Sequence, residues 1–487
     1  MTDQSLLNQS RRDFVKKSAL AFGSFYIVPR HVLGKGFIAP SDKLNIMGIG
    51  GGGKGSSDIL NSWKNGAENI VAICDVDDRR AADTRKKLPD AKSYRDFRIA
   101  LEKEKNNIDA VIISTPDHTH ATIAMAAMGL GKHVYVQKPL THDIYEARML
   151  AQYAREHKLV TQMGNQGSSG DGVRQMMEWY DGGTIGTVNE VYIWTNRPVW
   201  PQGISYPVAK MAVPTELDWD LWLGPAPWRE YNEAFVPFKW RGWWDYGTGA
   251  LGDMACHLID PPYRVLGLGS PSNVECSVGS VFLKDWVAEY IPEGCPPSST
   301  VTLQFPASAK NKSNVRMTWM DGGLRPPHPE GIDANEMLGD PDGANGVIMI
   351  GSKGIMTCGT YGMYPKVFKN GKQVPESELP KQSLARVEGG AGGHNYQWVQ
   401  ACKGGFGSAE QKALSSPFDF AGPFTESVLM GNLAIRSYMT KTSGEGRTAK
   451  FDGRKKLIWD GSNMKITNYE PANQFVKREY RAGWKLL

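Results

Sequence analysis

Short apolar runs separated by amphipathic segments set the pattern of the first third of the chain. Residues 44–49 (LNIMGI) read as a buried strand and run straight into Gly50-Gly51-Gly52-Gly53-Lys54-Gly55. A helical pattern follows to about Trp63. Residues 69–75 (NIVAICD) form a second strand, and a polar helix starts near Asp78. Residues 109–114 (DAVIIS) form a third strand that ends at Thr115-Pro116. An Ala- and Met-rich helix spans 119–130, closed by Gly131. Residues 133–136 (HVYV) are a strand before Lys138-Pro139, and a helix over 143–156 leads to the apolar run 159–163. Strands with no polar alternation are buried on both faces, which is the mark of parallel strands covered by helices. The alternation with helices predicts a doubly wound α/β unit over residues 42–165.

The pattern changes after one more helix and Gly182-Gly183. Residues 189–196 (NEVYIWTN) alternate as a half-exposed strand. Residues 197–247, rich in Pro and Trp, predict a long ordered loop, and 249–266 a helix. Short alternating strands follow at 274–281, 299–305, 314–319 and 346–350. Asn370-Gly371 between matched ends (367–374) predicts a hairpin. Helices are expected at 394–403 and 424–440. The second domain, residues 166–487, is therefore α+β with a large, mainly antiparallel sheet, serving substrate binding and oligomerisation.

Composition refines this. A chain of 487 residues is too long for one compact core, and its net charge of +5 offers no basic stripe for nucleic acid. Part of the excess lies in Ser10-Arg11-Arg12-Asp13-Phe14-Val15, followed by Lys16, Lys17 and an apolar run over 18–28. This segment, within residues 1–35, resembles a twin-arginine export signal. It is too short to span a bilayer and is closed by Pro29-Arg30. Export through the twin-arginine machinery implies a periplasmic or cell-envelope protein that leaves the cytoplasm already folded. The six cysteines form no CxxC pair. Cys74 reads as a buried thiol, and Cys276–Cys295 is the disulfide that export would permit.

The glycine run carries the first chemistry. Gly48-x-Gly50-x-x-Gly53 lies between strand and helix, where a glycine turn brings a pyrophosphate to the helix N-terminus. Gly51 lies in the same turn. Asp75 ends the next strand, where a carboxylate accepts hydrogen bonds from a ribose and repels a 2′-phosphate. NAD is therefore expected over NADP, with Arg79 and Arg80 keeping NADP open.

Three further motifs follow in order: Ser114-Thr115-Pro116-Asp117-His118-Thr119-His120, Val136-Gln137-Lys138-Pro139, and Gly252-Asp253-Met254-Ala255-Cys256-His257. With them the chain resembles the Gfo/Idh/MocA oxidoreductases over about residues 42–445. The resemblance implies that the Pro-x-x-x-His turn (Thr115, Pro116, His118, His120) and Gln137 lie at the nicotinamide. It also implies that Lys138 is the active-site lysine and that Asp253 and His257 are the acid/base pair. Gln137 stands where the family usually has glutamate.

Hydride removal from a secondary alcohol needs a base for the hydroxyl proton and a donor for the developing alkoxide. Asp253 and His257 are four apart and share a helix face, so the carboxylate is expected to fix the imidazole tautomer. Lys138 follows a strand end, where open α/β sheets bind ligands. Asn165, Gln166, Arg241 and Tyr246 are substrate-binding candidates by position. Eight tryptophans crowd residues 194–244; packing accounts for most, and one or two are expected to line the pocket.

These features predict an NAD-dependent oxidoreductase with tightly held cofactor, acting on a secondary hydroxyl of a sugar, glycoside or polyol. Two alternatives remain open: a redox-neutral glycoside hydrolase working by oxidation, elimination and reduction, and a non-catalytic sugar-binding protein. Asp117, His118 and His120 would be the ligands if the protein were a metal hydrolase; no metal is expected. An open sheet face makes a homo-oligomer the expected assembly.

Overall fold

The computed structural model describes residues 42–486, so the export-signal expectation over residues 1–35 lies outside the described residues. The first layer is a parallel sheet of β1 (Asn45–Ile49), β2 (Asn69–Cys74), β3 (Lys92–Tyr94), β4 (Ala110–Ile113), β5 (His133–Val136) and β6 (Thr161–Met163), ordered β3-β2-β1-β4-β5-β6. Helices α1 (Lys54–Trp63), α2 (Asp78–Lys87), α3 (Phe97–Glu104), α4 (His120–Gly129) and α5 (Ile144–Glu156) make the crossovers. Their starts are locally specified. Asp77 caps α2, Asp96 caps α3, and Asp143 with Glu146 forms a capping box on α5.

The strand order reverses between β1 and β4, and there the sheet opens a crevice. Register aligns the strand ends around it: Ile49 lies opposite both Cys74 and Ile113, and Ile113 opposite Val136. The loops after β1, β2, β4 and β5 thus leave from one edge. Strand β3 and helix α3 were not anticipated. Lys-Ser-Tyr is a short, largely exposed edge strand with no apolar run to announce it.

The second sheet has ten strands. Along it run Lys372–Gln373, Lys366–Lys369, Gly354–Cys358, Gly346–Gly351, Val188–Trp194, Val315–Met320, Ser299–Phe305, Asn273–Val278, Leu457–Asp460 and Lys465–Ile466. It is mixed: Val188–Trp194 and Val315–Met320 pair in parallel, and the other neighbours are antiparallel. Asn370 and Gly371 both have positive φ (48° and 74°) at the tip of the expected hairpin.

The helix Phe418–Met439 covers this sheet and binds the first layer. Arg148 on α5 grips Glu426 through two 2.6 Å hydrogen bonds. It starts six residues before the expected 424, with Pro423 inside it. All six cysteines are free, so the expected Cys276–Cys295 disulfide does not form; Cys295 and Cys74 are buried thiols.

The Trp-rich segment has little regular structure, but it is packed. Trp219, Trp222, Phe235, Trp240, Trp243 and Tyr246 belong to a separate apolar cluster. Leu217 bridges to Asp77, which sets this cluster against the strand-end edge of the first sheet. Seven of the eight tryptophans are buried; Trp228 is exposed.

Candidate active site

The strand-end loops, the Trp-rich cluster and the helix Gly249–Leu258 enclose a cavity of about 540 Å³. Its floor is the glycine turn. Gly50 has φ 88°, and its N–H donates to Cys74 O at 2.8 Å. A Cβ on Gly55 would lie 1.9 Å from Gly50 O, so α1 packs on the turn only because that position is bare. The fingerprint register is therefore Gly50-x-Gly52-x-x-Gly55, two residues later than expected. Gly48 lies inside β1, where a Cβ would strike Ile59 at 2.4 Å. A run of consecutive glycines hides this shift, because only the strand's end decides where the turn begins. Gly50, Gly52 and Gly53 line the cavity, while the Gly51 N–H is bonded to Asp75 Oδ2 at 2.8 Å.

Asp75 also accepts the Asp77 N–H at 3.0 Å. Burial raises its pKa, and these backbone N–H groups pull the other way. Asp75 and Arg80 both line the cavity, as do Phe97, Leu221 and Trp484. Trp484 packs against Phe97 and Arg98. It comes from the opposite end of the chain, and nothing local in the sequence marks it.

Thr115 and Pro116 line the cavity, but His118 and His120 do not. Both are buried, and the two nitrogens of His118 face Tyr246 O (3.2 Å) and Trp222 O (3.0 Å). Those of His120 face Pro139 O and Thr115 O, both at 2.9 Å. These rings tie loops together. All four ring nitrogens therefore face backbone carbonyls rather than the cavity. Burial pushes the His118 pKa down to about 3.

Gln137 is explained by a neighbour. Its Nε2 donates to Asp58 Oδ2 at 2.8 Å, and the same oxygen accepts Ser114 Oγ–H at 2.9 Å. Lys54 and Asn395 donate to the other oxygen. Asp58 is fully buried. A glutamate at 137 would set two carboxylates face to face, so the amide and the acid of this pair have to be read together.

At the other end Lys138 Nζ donates to Asp253 O at 2.6 Å and to Asp253 Oδ1 at 3.0 Å. Arg241 Nε reaches the same oxygen at 3.2 Å. Burial alone would raise the Asp253 pKa, but Lys138 and Arg241 outweigh it and hold the carboxylate ionised. His257 lines the cavity beside it with its ring edge-on to Tyr361, centroids 4.6 Å apart. No hydrogen bond joins Asp253 to His257, and His257 Nδ1 has no partner among the described residues. The expected carboxylate steering of the imidazole is thus corrected. The i,i+4 spacing puts both on one face, but two cations compete successfully for the carboxylate. Burial, then Lys138, pushes the His257 pKa well below its ordinary value.

Gln166 and Arg241 line the cavity. Asn165 and Tyr246 are fully buried and do not; Asn165 Nδ2 donates to Ser168 Oγ. Of the eight tryptophans crowded into residues 194–244, Trp222 and Trp240 are in the wall. Arg197 and Tyr361 were missed. Tyr361 has φ 64°, a left-handed conformation uncommon for a ring-bearing residue, and it lies in a short turn with no motif.

Residues 44–165 match a family described as oxidoreductase family, NAD-binding Rossmann fold, and 180–285 match its C-terminal alpha/beta domain. Levoglucosan dehydrogenase of Pseudarthrobacter phenanthrenivorans is 25% identical over 217 residues, 45% of this chain and 46% of that protein. A glycosyl hydrolase family 109 protein of a Shewanella strain is 30% identical over 177 residues, 30% of this chain and 38% of that one. The chain spans less than half the length of either relative. The fold matches that of the WlbA dehydrogenase from Bordetella pertussis, solved with NADH and UDP-GlcNAcA. The TM-score is 0.54 at 13% identity, covering 81% of this chain and 97% of that one.

Proposed function

We propose, from the premise that this chain belongs to the Gfo/Idh/MocA oxidoreductase family, that it oxidises a secondary hydroxyl of a sugar, glycoside or polyol with a nicotinamide cofactor. One observation carries the reading: the glycine turn, Asp75, Lys138, Asp253 and His257 face a single cavity. The residues fit a dinucleotide. The bare turn and the α1 N-terminus suit a pyrophosphate, Asp75 suits a ribose diol, and the rings of Phe97 and Trp484 suit an adenine. Asp75 favours NAD, and Arg80 beside it is the residue that would admit NADP. When bound, the nicotinamide supplies the hydride acceptor.

The chain's own groups supply the rest. The depressed pKa keeps His257 neutral at pH 7, ready to take the hydroxyl proton. The Lys138 ammonium, anchored on Asp253, faces the oxygen on which charge develops. Tyr361 limits the rotation of the His257 ring. An intact set of these groups argues for an enzyme over a sugar-binding protein.

The test is direct. Nucleotide released by denaturing the purified protein identifies the cofactor, and sugars are then screened for reduced nicotinamide at 340 nm. Absence of nucleotide, of nucleotide binding and of turnover together would overturn the reading. The likeness to a family 109 glycosyl hydrolase favours one second reading, cleavage by oxidation, elimination and reduction. Aryl glycosides releasing phenol with no net cofactor reduction would select it.

We further propose export in the folded state through the twin-arginine route, on the strength of Arg11-Arg12 and the apolar run after them. A protein carried out with its cofactor would need to hold it tightly and recycle it in place. The face of the ten-stranded sheet is the proposed contact of a homo-oligomer.

A further inference from the structure

Charge does not balance at the reaction end of the cavity. Lys138, Arg197 and Arg241 all line it and converge on one carboxylate. Lys138 Nζ and Arg241 Nε lie 3.0 and 3.2 Å from Asp253 Oδ1, and Arg197 Nε lies 4.0 Å from Oδ2. The other acid in this part of the wall, Asp117, accepts the Thr248 hydroxyl at 2.7 Å and is pushed toward its neutral form by burial. Counting it as charged still leaves more cations than acids.

Neither guanidinium is freely solvated, since the Arg197 and Arg241 side chains keep 28% and 24% of their accessible surface. Arg241 lies over the Trp240 ring at 4.2 Å and the Phe238 ring at 4.6 Å, which holds its plane. Its Nη1 donates to Phe238 O, and Arg197 Nη1 donates to Asn196 Oδ1. Among the described residues, Nη2 of each makes no hydrogen bond. The pyrophosphate end has its own donors in the glycine turn and the α1 N-terminus, so these arginines are not needed there. Hydroxyl groups are matched well enough by amides and other hydroxyls. Two half-buried forks with unused donors match a carboxylate.

We propose that the substrate is a sugar acid, a uronate or a related carboxylated sugar, whose carboxylate is received by Arg197 and Arg241. This rests on the oxidoreductase reading of the same cavity. The reacting carbon then lies between that anchor and Lys138, and Asp253 keeps the three cations apart and oriented.

The experiment compares matched pairs, glucose with glucuronate and galactose with galacturonate, on the cofactor-loaded protein. It uses two readouts, cofactor reduction and the ligand-induced shift in melting temperature. At least tenfold higher kcat/KM and a larger shift for the uronates are expected. Arg197→Met should raise the uronate KM more than tenfold and bring the uronate-to-neutral ratio toward one; Arg197→Lys should fall between. Neutral sugars turned over as well as the uronates would overturn this inference and leave the oxidoreductase reading standing. Uronate-selective stabilisation that Arg197→Met abolishes would uphold the carboxylate anchor even where these uronates are not turned over. Equal shifts in both series, or an unchanged ratio in a folded Arg197→Met, would overturn the anchor.

Discussion

The two ends of the cavity are built by different means. The cofactor end is built mainly on backbone turns from about ninety consecutive residues, between Gly50 and Lys138, with Leu221 and Trp484 added from farther along the chain. Its shape follows from bare glycines, strand ends and one acid. The reaction end is made of side chains from distant segments: Lys138, Arg197, Arg241, Asp253, His257 and Tyr361. It works through a balance of buried charges. The first kind of site fails by steric conflict, the second by a change in who pairs with whom.

Substitutions at the two ends should therefore separate. The largest effect is expected at the reaction end. Lys138→Ala or His257→Ala should lower kcat by about 10²–10⁴-fold, because each removes a group that moves or stabilises charge in the transition state. Cofactor content measured after denaturation should stay near that of the parent. Loss of the cofactor along with the rate would merge the two ends again.

Next comes the floor. Gly55→Val places a Cβ 1.9 Å from Gly50 O, and backbone atoms on both sides cannot yield. Cofactor occupancy should collapse, with stability lowered by about 1–3 kcal/mol in chemical denaturation. Retained occupancy would show that the glycine register is placed wrongly.

Gln137→Glu sharpens the comparison from within. It changes one amide to the acid usual in the family, yet here it faces Asp58 Oδ2 at 2.8 Å. Stability should fall by about 1–3 kcal/mol, and the loss should shrink in Gln137→Glu/Asp58→Asn. An additive double variant would disprove the coupling.

The smallest effect is on pH. Burial holds His118 near pKa about 3 and His394 near about 4, against 6.5 unfolded, and depresses His257 as well. A lowered histidine pKa means that the unfolded chain binds more protons below 6.5. Its contribution to stability is complete above that pH and is lost as pH falls toward the folded value. Through these histidines the melting temperature should decline from pH 6.5 to 4, with the buried Asp321 carboxyl, raised to about 6, pulling the other way, whereas the rate should show no histidine titration between pH 6 and 8. A rate that rises through a pKa near 6.5 would place a charged His257 in the resting protein.

Legibility followed the same division. Strands β1, β2, β4 and β5 could be read because parallel strands buried on both faces are nearly all apolar. The edge strand β3 could not, since Lys92-Ser93-Tyr94 has no buried face to pattern. The motif containing Lys138 and the Asp253/His257 pair were visible as residues, and the cavity brings them together. Their pairing was not visible, because Asp253 chose between a neutral imidazole four residues away and cations far along the chain. That His118 and His120 face carbonyls was hidden for the same reason: a histidine near a strand end looks alike whether it faces a ligand or a carbonyl.

By itself the sequence determined what depends on neighbours along the chain. Apolar runs made the strands, Asp77, Asp96 and Asp143 capped the helices, and Asn370-Gly371 closed a hairpin. Tertiary structure decided what depends on competition in a low-dielectric interior. There the strength of a charge pair is set by burial and by every other charge within reach, and no local pattern records that sum.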